Sequence, residues 1–425
     1  MNNPASTYRC DTLVVGGGLA GYTAAIVHAR RGERVTLLDG GPSMALYHPG
    51  TISLLSPIEG ELIHHPLEAL DRLPELHPYR KLGADGVLQR ARAAQALLAD
   101  IGITATGDVT TSRYCISPMG VIRATWLTLK GFASWPDPDH LPWERVLLVD
   151  IAGYLDFPTA LVAHTLEQLG AHVETCTVTV GDPQRGYRTP AQMRPTSISR
   201  QLVTHNELAA VARQLEPALS SAHPQVILMP AVIGADDEFA QQRLQSLLPI
   251  ELLLLPTLPP TVAGQRLLTT LRHYFMMMGG TVRAGETAVR ALIDGDSVTG
   301  ITTSQSSQPL TASHYVLATG GIGSGGLVAH RDDIVEPIMG ADVNAPHGRA
   351  HWTASDALAP QPYMDYGILT DAAFHPLRAG VPLRNVTATG HILACSNPAT
   401  HAPSGMPIIL SVDFPRADQR GPART

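Results

Sequence analysis

Residues 12–39 read TLVVGGGLAGYTAAIVHARRGERVTLLD, and this stretch decides the fold. Thr12–Val15 is a short apolar run rich in β-branched residues that feeds straight into glycines, which predicts a buried strand. Ala20–Arg31 carries Ala24, Ala25, Ile26, Val27 and Ala29, a compact helix with Gly32 placed to end it. Val35–Leu38 is a second apolar strand, so the three elements make a βαβ unit. Gly16, Gly18 and Gly21 form G-x-G-x-x-G at the strand-to-helix turn. The first glycine permits the tight turn, the second removes a Cβ where a diphosphate approaches the backbone, and Gly21 lets helix and strand pack closely. Gly17, Leu19 and Ala20 complete the loop, and the helix N-terminus offers unpaired N–H groups and a partial positive charge to an anion. Asp39 ends the second strand 18 residues after Gly21, near the spacing at which an acid hydrogen-bonds a ribose hydroxyl. An acid there favours a free 2′-hydroxyl, hence FAD or NAD rather than NADP; a glycine turn without any ligand is the plainer alternative.

Working outward, residues 40–80 read as loop. A helix is expected over 84–101, where Val87, Ala91, Ala94, Leu98 and Ile101 recur at alternating four- and three-residue steps. Val146–Val149, Val226–Met229 and Leu252–Leu255 are short buried-strand runs, and Phe157–Leu169 is helical. Beyond residue 280 come Ala288–Ile293, an Asp294-Gly295-Asp296 turn and Val298–Thr303, a hairpin signal. Tyr315–Ala318 is a strand running into Thr319-Gly320-Gly321, by which the chain returns to the sheet begun at residue 12. The expectation is an α/β protein: a Rossmann-like FAD/NAD-binding domain with an inserted mixed α/β domain. Its parts are 1–110 (first part of the nucleotide domain), 111–265 (insertion), 266–398 (return) and 399–425 (an irregular tail). The N-terminal place of the nucleotide unit and the late return favour FAD over NAD.

Composition narrows the function classes. The 425 residues match roughly two or three domains at about 150 residues each. Hydrophobic residues are 44% and charged residues 16%, which excludes a disordered or coiled-coil chain. The net charge of −7 offers no basic surface for nucleic acid, and 5% aromatics are too few for base-stacking platforms. Cys10, Cys115, Cys176 and Cys395 are widely spread, with no spacing for zinc or an iron–sulfur cluster. No apolar run approaches a membrane span and no secretory leader is legible, so a cytoplasmic protein without its own membrane anchor is expected.

Several segments together resemble the B-subunit family of anaerobic glycerol-3-phosphate dehydrogenase: LVVGGGLAGYTAAI, SPMGVIRATWL (117–127), LLVDIAGYLDFPTALVAHTLEQLG (147–170), VILMPAVIG (226–234), LPTLPPTVAGQRL (255–267), VLATGGIGSGGLVAHRDDIVEPIMGADV (316–343) and ATGHILACSNP (388–398). The fingerprint is common to many flavoproteins, whereas LPTLPPTVAGQRL and GSGGLVAHRDDIVEPI are distinctive. The resemblance implies a flavin subunit of a complex that oxidises sn-glycerol 3-phosphate to dihydroxyacetone phosphate in anaerobic respiration and glycerol degradation. It implies a quinone acceptor, with fumarate or nitrate as terminal oxidant. Its partners would be a catalytic flavin subunit and an iron–sulfur subunit that attaches the complex to the inner face of the cell membrane. The family is associated with FMN, while the fingerprint and Asp39 argue for FAD. A degenerate, non-catalytic assembly subunit and a soluble NAD-linked dehydrogenase are the competing readings.

The chain departs from the family pattern after Gly390. Ala394-Cys395-Ser396 stands where glycines and an aromatic are expected, and Pro403, Pro407, Pro415 and Pro422 argue against a long closing helix. For the chemistry, a flavin dehydrogenase needs a base for the alcohol proton and cations for a phosphate. Arginine suits the latter through its bidentate fork. Arg123 is the first candidate, Arg266 the second, with Arg194 and Arg200 also in family-like segments. His391, after Gly390, is the candidate base, and Gly320, Gly321 and Gly390 are further cofactor-binding candidates. No metal site is expected. The Met276–Met278 run reads as core filler at a helix end.

Overall fold

The computed structural model describes residues 9–181, 193–235, 237, 239–357, 359–397 and 404–412. It divides into two compact units, one of Met1–Ser43, Leu67–Ile101 and Thr270–Thr425, the other of Met44–Pro66 and Gly102–Thr269.

The first unit is built on the βαβ segment. Strand β1 (Arg9–Val15) is followed by helix α1 (Leu19–Arg30) and strand β2 (Val35–Asp39). Leu13, Val14 and Leu37 are fully buried, as expected of parallel strands covered on both faces. The parallel sheet runs Thr281–Ala284, β2, β1, Ser306–Leu317, Val386–Ala388, with Val15 level with Leu38 on one side and Leu317 on the other. The twelve-residue strand Ser306–Leu317 also serves a second sheet. Its N-terminal part pairs antiparallel with Ser297–Thr303, which pairs in turn with Ala288–Asp294. The hairpin turns at Gly295, where φ is +58°, a conformation that favours glycine. The chain therefore returns to the first sheet earlier than the sequence reading expects, first at Thr281–Ala284 beside β2 and then through this strand beside β1.

Helix α2 (Pro78–Asp100) begins a turn earlier than its apolar periodicity predicts, but Gly83 (φ 67°, ψ 172°) breaks it, so the regular helix starts at residue 84. The tail differs from its sequence reading. Residues 404–412 are not irregular: Met406–Ser411 forms a six-residue helix with Pro407 in its first turn, where a missing N–H is harmless. Met406, Ile408 and Ile409 are fully buried, and Arg90 of α2 donates to the carbonyls of Leu410 and Val412 at the helix end. Residues 399–403 and 413–425, the rest of that expected tail, lie outside the described residues. The methionine run also differs. Met276 and Met277 are 51% and 73% exposed, and the buried side chain at this helix end is Phe275.

The second unit has a four-stranded parallel sheet ordered Glu251–Leu255, Val226–Pro230, Arg145–Ile151, His172–Val178. Its core is the fully buried Leu147, Leu148 and Val226–Met229. Residues 44–66, read from sequence as part of the nucleotide domain, group here because Thr51–Ile52 pairs with Leu127–Leu129 and Ser112 N donates to His64 O. The boundary on the return falls within the helix Val262–Met277.

A tight steric point of the first unit lies where α1 leaves β1. A Cβ added at Gly21 would sit 1.8 Å from Gly16 O. Replacement of Gly21 by valine is expected to destabilise the protein by roughly 3 kcal/mol, a penalty of overpacking against backbone. A thermal or urea unfolding midpoint unchanged in that variant would show that the helix does not need to approach the strand this closely.

Candidate functional site

The glycines of the fingerprint do different things. Gly16 has φ +120°, and a Cβ there would lie 2.2 Å from Ala318 O, the residue that follows the strand Ser306–Leu317. A Cβ at Gly17 would lie 2.4 Å from Asp39 Cγ and Oδ1. Gly18 is unlike both, because a Cβ there would meet only Ser43 Oγ at 3.5 Å, ordinary contact. Gly16 and Gly21 are therefore required by the backbone itself, Gly17 leaves the Asp39 carboxylate in its place, and Gly18 is required only if something else approaches from the open side. Gly18 is the N-cap of α1 and contributes no side-chain acceptor, and the first turn of α1 holds no acid. The leading N–H groups and the positive end of the helix are thus kept for an external anion.

Asp39 faces this turn from the end of β2. Its Oδ2 accepts a 3.0 Å hydrogen bond from Tyr22 Oη, one residue past the last glycine. Burial, reinforced by the Asp39 carboxylate, pushes the Tyr22 phenol up, so it stays a donor. The carboxylate is in this way oriented beside the glycine turn, with capacity left for a ribose hydroxyl.

Two further segments close around the turn. Gly320 has φ +75°, and Gly321, capping the short helix Ile322–Ser324, would place a Cβ 3.2 Å from His391 O. Gly390 has φ +79°, and a Cβ there would meet the Ala20 side chain at 2.9 Å. The structure thus brings Gly16, Gly17, Gly18, Leu19, Ala20, Gly21, Asp39, Gly320, Gly321, Gly390 and the His391 backbone into one neighbourhood at the carboxyl edge of the parallel sheet. Thr319 Oγ1 is buried there and has no hydrogen-bond partner among the described residues. An orphaned hydroxyl, an uncapped helix start, an oriented carboxylate and a cradle that a Cβ at Gly18 would fill together fit an adenine dinucleotide. Tyr22 and Thr319 escape sequence reasoning, since no spacing rule distinguishes them; the position beside a glycine is the one signal either carries.

The two arginine candidates belong to the second unit. Arg123 is exposed on the hairpin strand Ile122–Thr125, whose register sets it opposite Cys115. Arg266 is half-buried in the helix Val262–Met277, with Nη1 3.5 Å from where a Gly234 Cβ would lie. Among the described residues no group of three or more acidic, histidine or cysteine side chains could hold a metal ion.

Two substitutions separate architecture from ligand binding. Gly18→Val is expected to fold with a near-normal unfolding midpoint yet retain no flavin after purification, because only a bound diphosphate excludes its side chain. Asp39→Ala is expected to weaken flavin affinity about tenfold or more, the loss of a charge-assisted hydrogen bond. Equilibrium flavin titration checks both, and full flavin content in Gly18→Val would move the diphosphate elsewhere.

Comparison with known proteins agrees with this geometry. Residues 11–405 match the family described as an FAD binding domain. A protein of Yersinia enterocolitica named as the B subunit of anaerobic glycerol-3-phosphate dehydrogenase is 34% identical, covering 92% of this chain and 93% of its own length. The proteins of that name from Pectobacterium atrosepticum and Actinobacillus succinogenes are 33% and 31% identical over similar shares of both chains. This chain therefore binds FAD through a Rossmann-like α/β domain and belongs to the B-subunit family of anaerobic glycerol-3-phosphate dehydrogenase, a family of flavin oxidoreductase subunits.

Proposed function

We propose that this chain is the FAD-carrying B subunit of a respiratory complex that oxidises sn-glycerol 3-phosphate to dihydroxyacetone phosphate and passes the electrons to a quinone, with fumarate or nitrate as terminal acceptor. The observation that carries the reading is the set of backbone approaches around Gly18, supported by relatives that match this chain nearly end to end. When bound, FAD supplies reversible two-electron chemistry. The chain's own part is to hold and orient it. Backbone N–H groups at the start of α1 receive the diphosphate, Asp39 with Tyr22 receives the ribose, and Thr319 Oγ1 offers a hydroxyl inside the cradle. Arg123, Arg266 and His391 remain the candidate substrate-directed side chains of this reading.

The partners in this reading are a second, catalytic flavin subunit and an iron–sulfur subunit that holds the complex at the inner face of the membrane. Two features support the division of labour. Among the described residues no helix is long and apolar enough to cross a membrane. The four cysteines are free, and their sequence separation does not suit a cluster.

The test is purification of the full chain with the other subunits of the complex, release of the flavin and chromatographic separation of FAD from FMN. FAD is expected in the extract, with bleaching of the visible flavin absorbance when sn-glycerol 3-phosphate is added anaerobically to the assembled complex. A colourless chain that still copurifies with its partners would make it an assembly subunit, and a nicotinamide-dependent oxidation without membrane acceptors would make it a soluble dehydrogenase.

A further inference from the structure

A second group of polar side chains gathers in the first unit, away from the glycine turn but anchored to the same sheet edge. Asp371 and His375 form a dyad in which His375 Nδ1 and Asp371 Oδ2 are 2.9 Å apart. Asp371 Oδ1 accepts from the backbone N–H groups of Ala373 and His375, so the carboxylate is fixed before it meets the imidazole. Burial would raise the Asp371 acid, but the hydrogen bonds from His375 outweigh it and hold the carboxyl below its ordinary range. With Nδ1–H given to Asp371, the ring presents Nε2 as its outward nitrogen. The two side chains keep 29% and 31% of their surface, so the dyad is reachable from solvent.

Lys81 is bonded to Thr370, the residue before Asp371. Its ammonium donates to Thr370 O at 2.9 Å and to Thr370 Oγ1 at 2.8 Å, which leaves one N–H for another acceptor. Burial works against its charged form and lowers its pKa, and the nearby Asp371 opposes that shift. The Cys395 thiol is pushed up to about 11 by burial and by Asp365, so it contributes no competing anion. A fixed carboxylate answers part of the lysine charge, and an anion from outside would complete the set.

Backbone conformation points to the same place. Phe374, beside His375, has φ +65°, and Cys395 has φ +56°. Such values are uncommon for bulky residues and persist where the surroundings enforce them. Here the enforcement is visible: Ala388 N donates to Phe374 O, and Cys395 N donates to Asp365 O, both at 2.9 Å. Ala388 ends the core strand that leads to Gly390, the residue that meets Ala20 at the start of α1. Ile368 N further donates to Ile392 O. The loop carrying the dyad is thus tied to the carboxyl edge of the parallel sheet, where ligands of such sheets bind.

We infer that Lys81, Asp371 and His375 form a binding site for a small hydroxylated anion, with the lysine taking the anionic group and His375 Nε2 accepting the hydrogen bond of the hydroxyl. Asp371 is a positioning residue that fixes the imidazole. This inference deepens the function proposed above and rests on it for the kind of ligand, a phosphorylated alcohol.

Calorimetric titration of the full-length, FAD-loaded protein tests it, with sn-glycerol 3-phosphate, inorganic phosphate and glycerol as separate probes. The wild type is expected to bind sn-glycerol 3-phosphate more tightly than phosphate, and glycerol least. Lys81→Met should weaken both anions about tenfold or more. His375→Asn should weaken sn-glycerol 3-phosphate alone and leave phosphate binding intact. Lys81→Arg keeps the charge and should retain the binding if Lys81→Met proves too unstable to titrate. Unaltered affinity in Lys81→Met or His375→Asn overturns the site. So does an FAD-loaded wild type that binds none of the probes, and in that case the flavoprotein reading stands. A chain that retains no FAD overturns that reading instead, while variant-dependent anion binding in it still supports this site.

Discussion

The constraint on which the first unit depends is a crowding of main chain at the end of β1. Gly16 O occupies the space of a Gly21 side chain, and Ala318 O occupies the space of a Gly16 side chain. The central strand, the first helix and the returning strand can meet only if two residues have no Cβ. Because those positions surrender their side chains to architecture, the start of α1 carries neither a side-chain cap nor an acid in its first turn, and its leading N–H groups are left for an external anion. The scarcity of side chains that lets the fold close is the same scarcity that opens room for a diphosphate.

Much of this is legible in the sequence for a physical reason. Buried parallel strands need uninterrupted apolar runs, tight turns need glycine, and helix faces need apolar residues at three- and four-residue steps. β1, α1, β2 and the Gly295 hairpin obey these local rules and lie where the rules put them, whereas the strand expected at Tyr315–Ala318 begins much earlier, at Ser306, because its polar first half is held by the hairpin. The grouping of residues 44–66 with the second unit is not legible, because a two-residue strand such as Thr51–Ile52 has no pattern of its own and is defined by the partner it finds at Leu127. The exposure of Met276 and Met277 escapes a reading that equates hydrophobicity with burial, since a helix end can leave apolar side chains in water.

The site shows the same division. The glycines and Asp39 are readable since their roles are backbone roles at fixed spacing. Tyr22 orienting Asp39 across 17 positions, and Lys81 reaching the segment of the Asp371–His375 pair, depend on residues that meet only after folding. Lys81 and Thr370 are separated by 289 positions, and no local signal announces such a meeting. Cys395 illustrates a third case. Its φ of +56° is a conformation that a glycine adopts freely and a larger residue adopts only where its surroundings enforce it, which nothing in its local sequence announces.

One feature of the sheet carries a mechanical consequence. Ser306–Leu317 is an unbroken ribbon whose first half is knitted to a surface hairpin and whose second half is sandwiched in the interior, ending at the threonine and glycines of the cradle. An insertion at the Gly295 tip is absorbed in solvent. An insertion within the ribbon, between Leu310 and Thr311, would instead push its interior half one step along β1, turning inward-facing side chains outward and withdrawing Thr319 from its place. The outer hairpin therefore works as a clamp that sets the depth to which the interior ribbon is threaded.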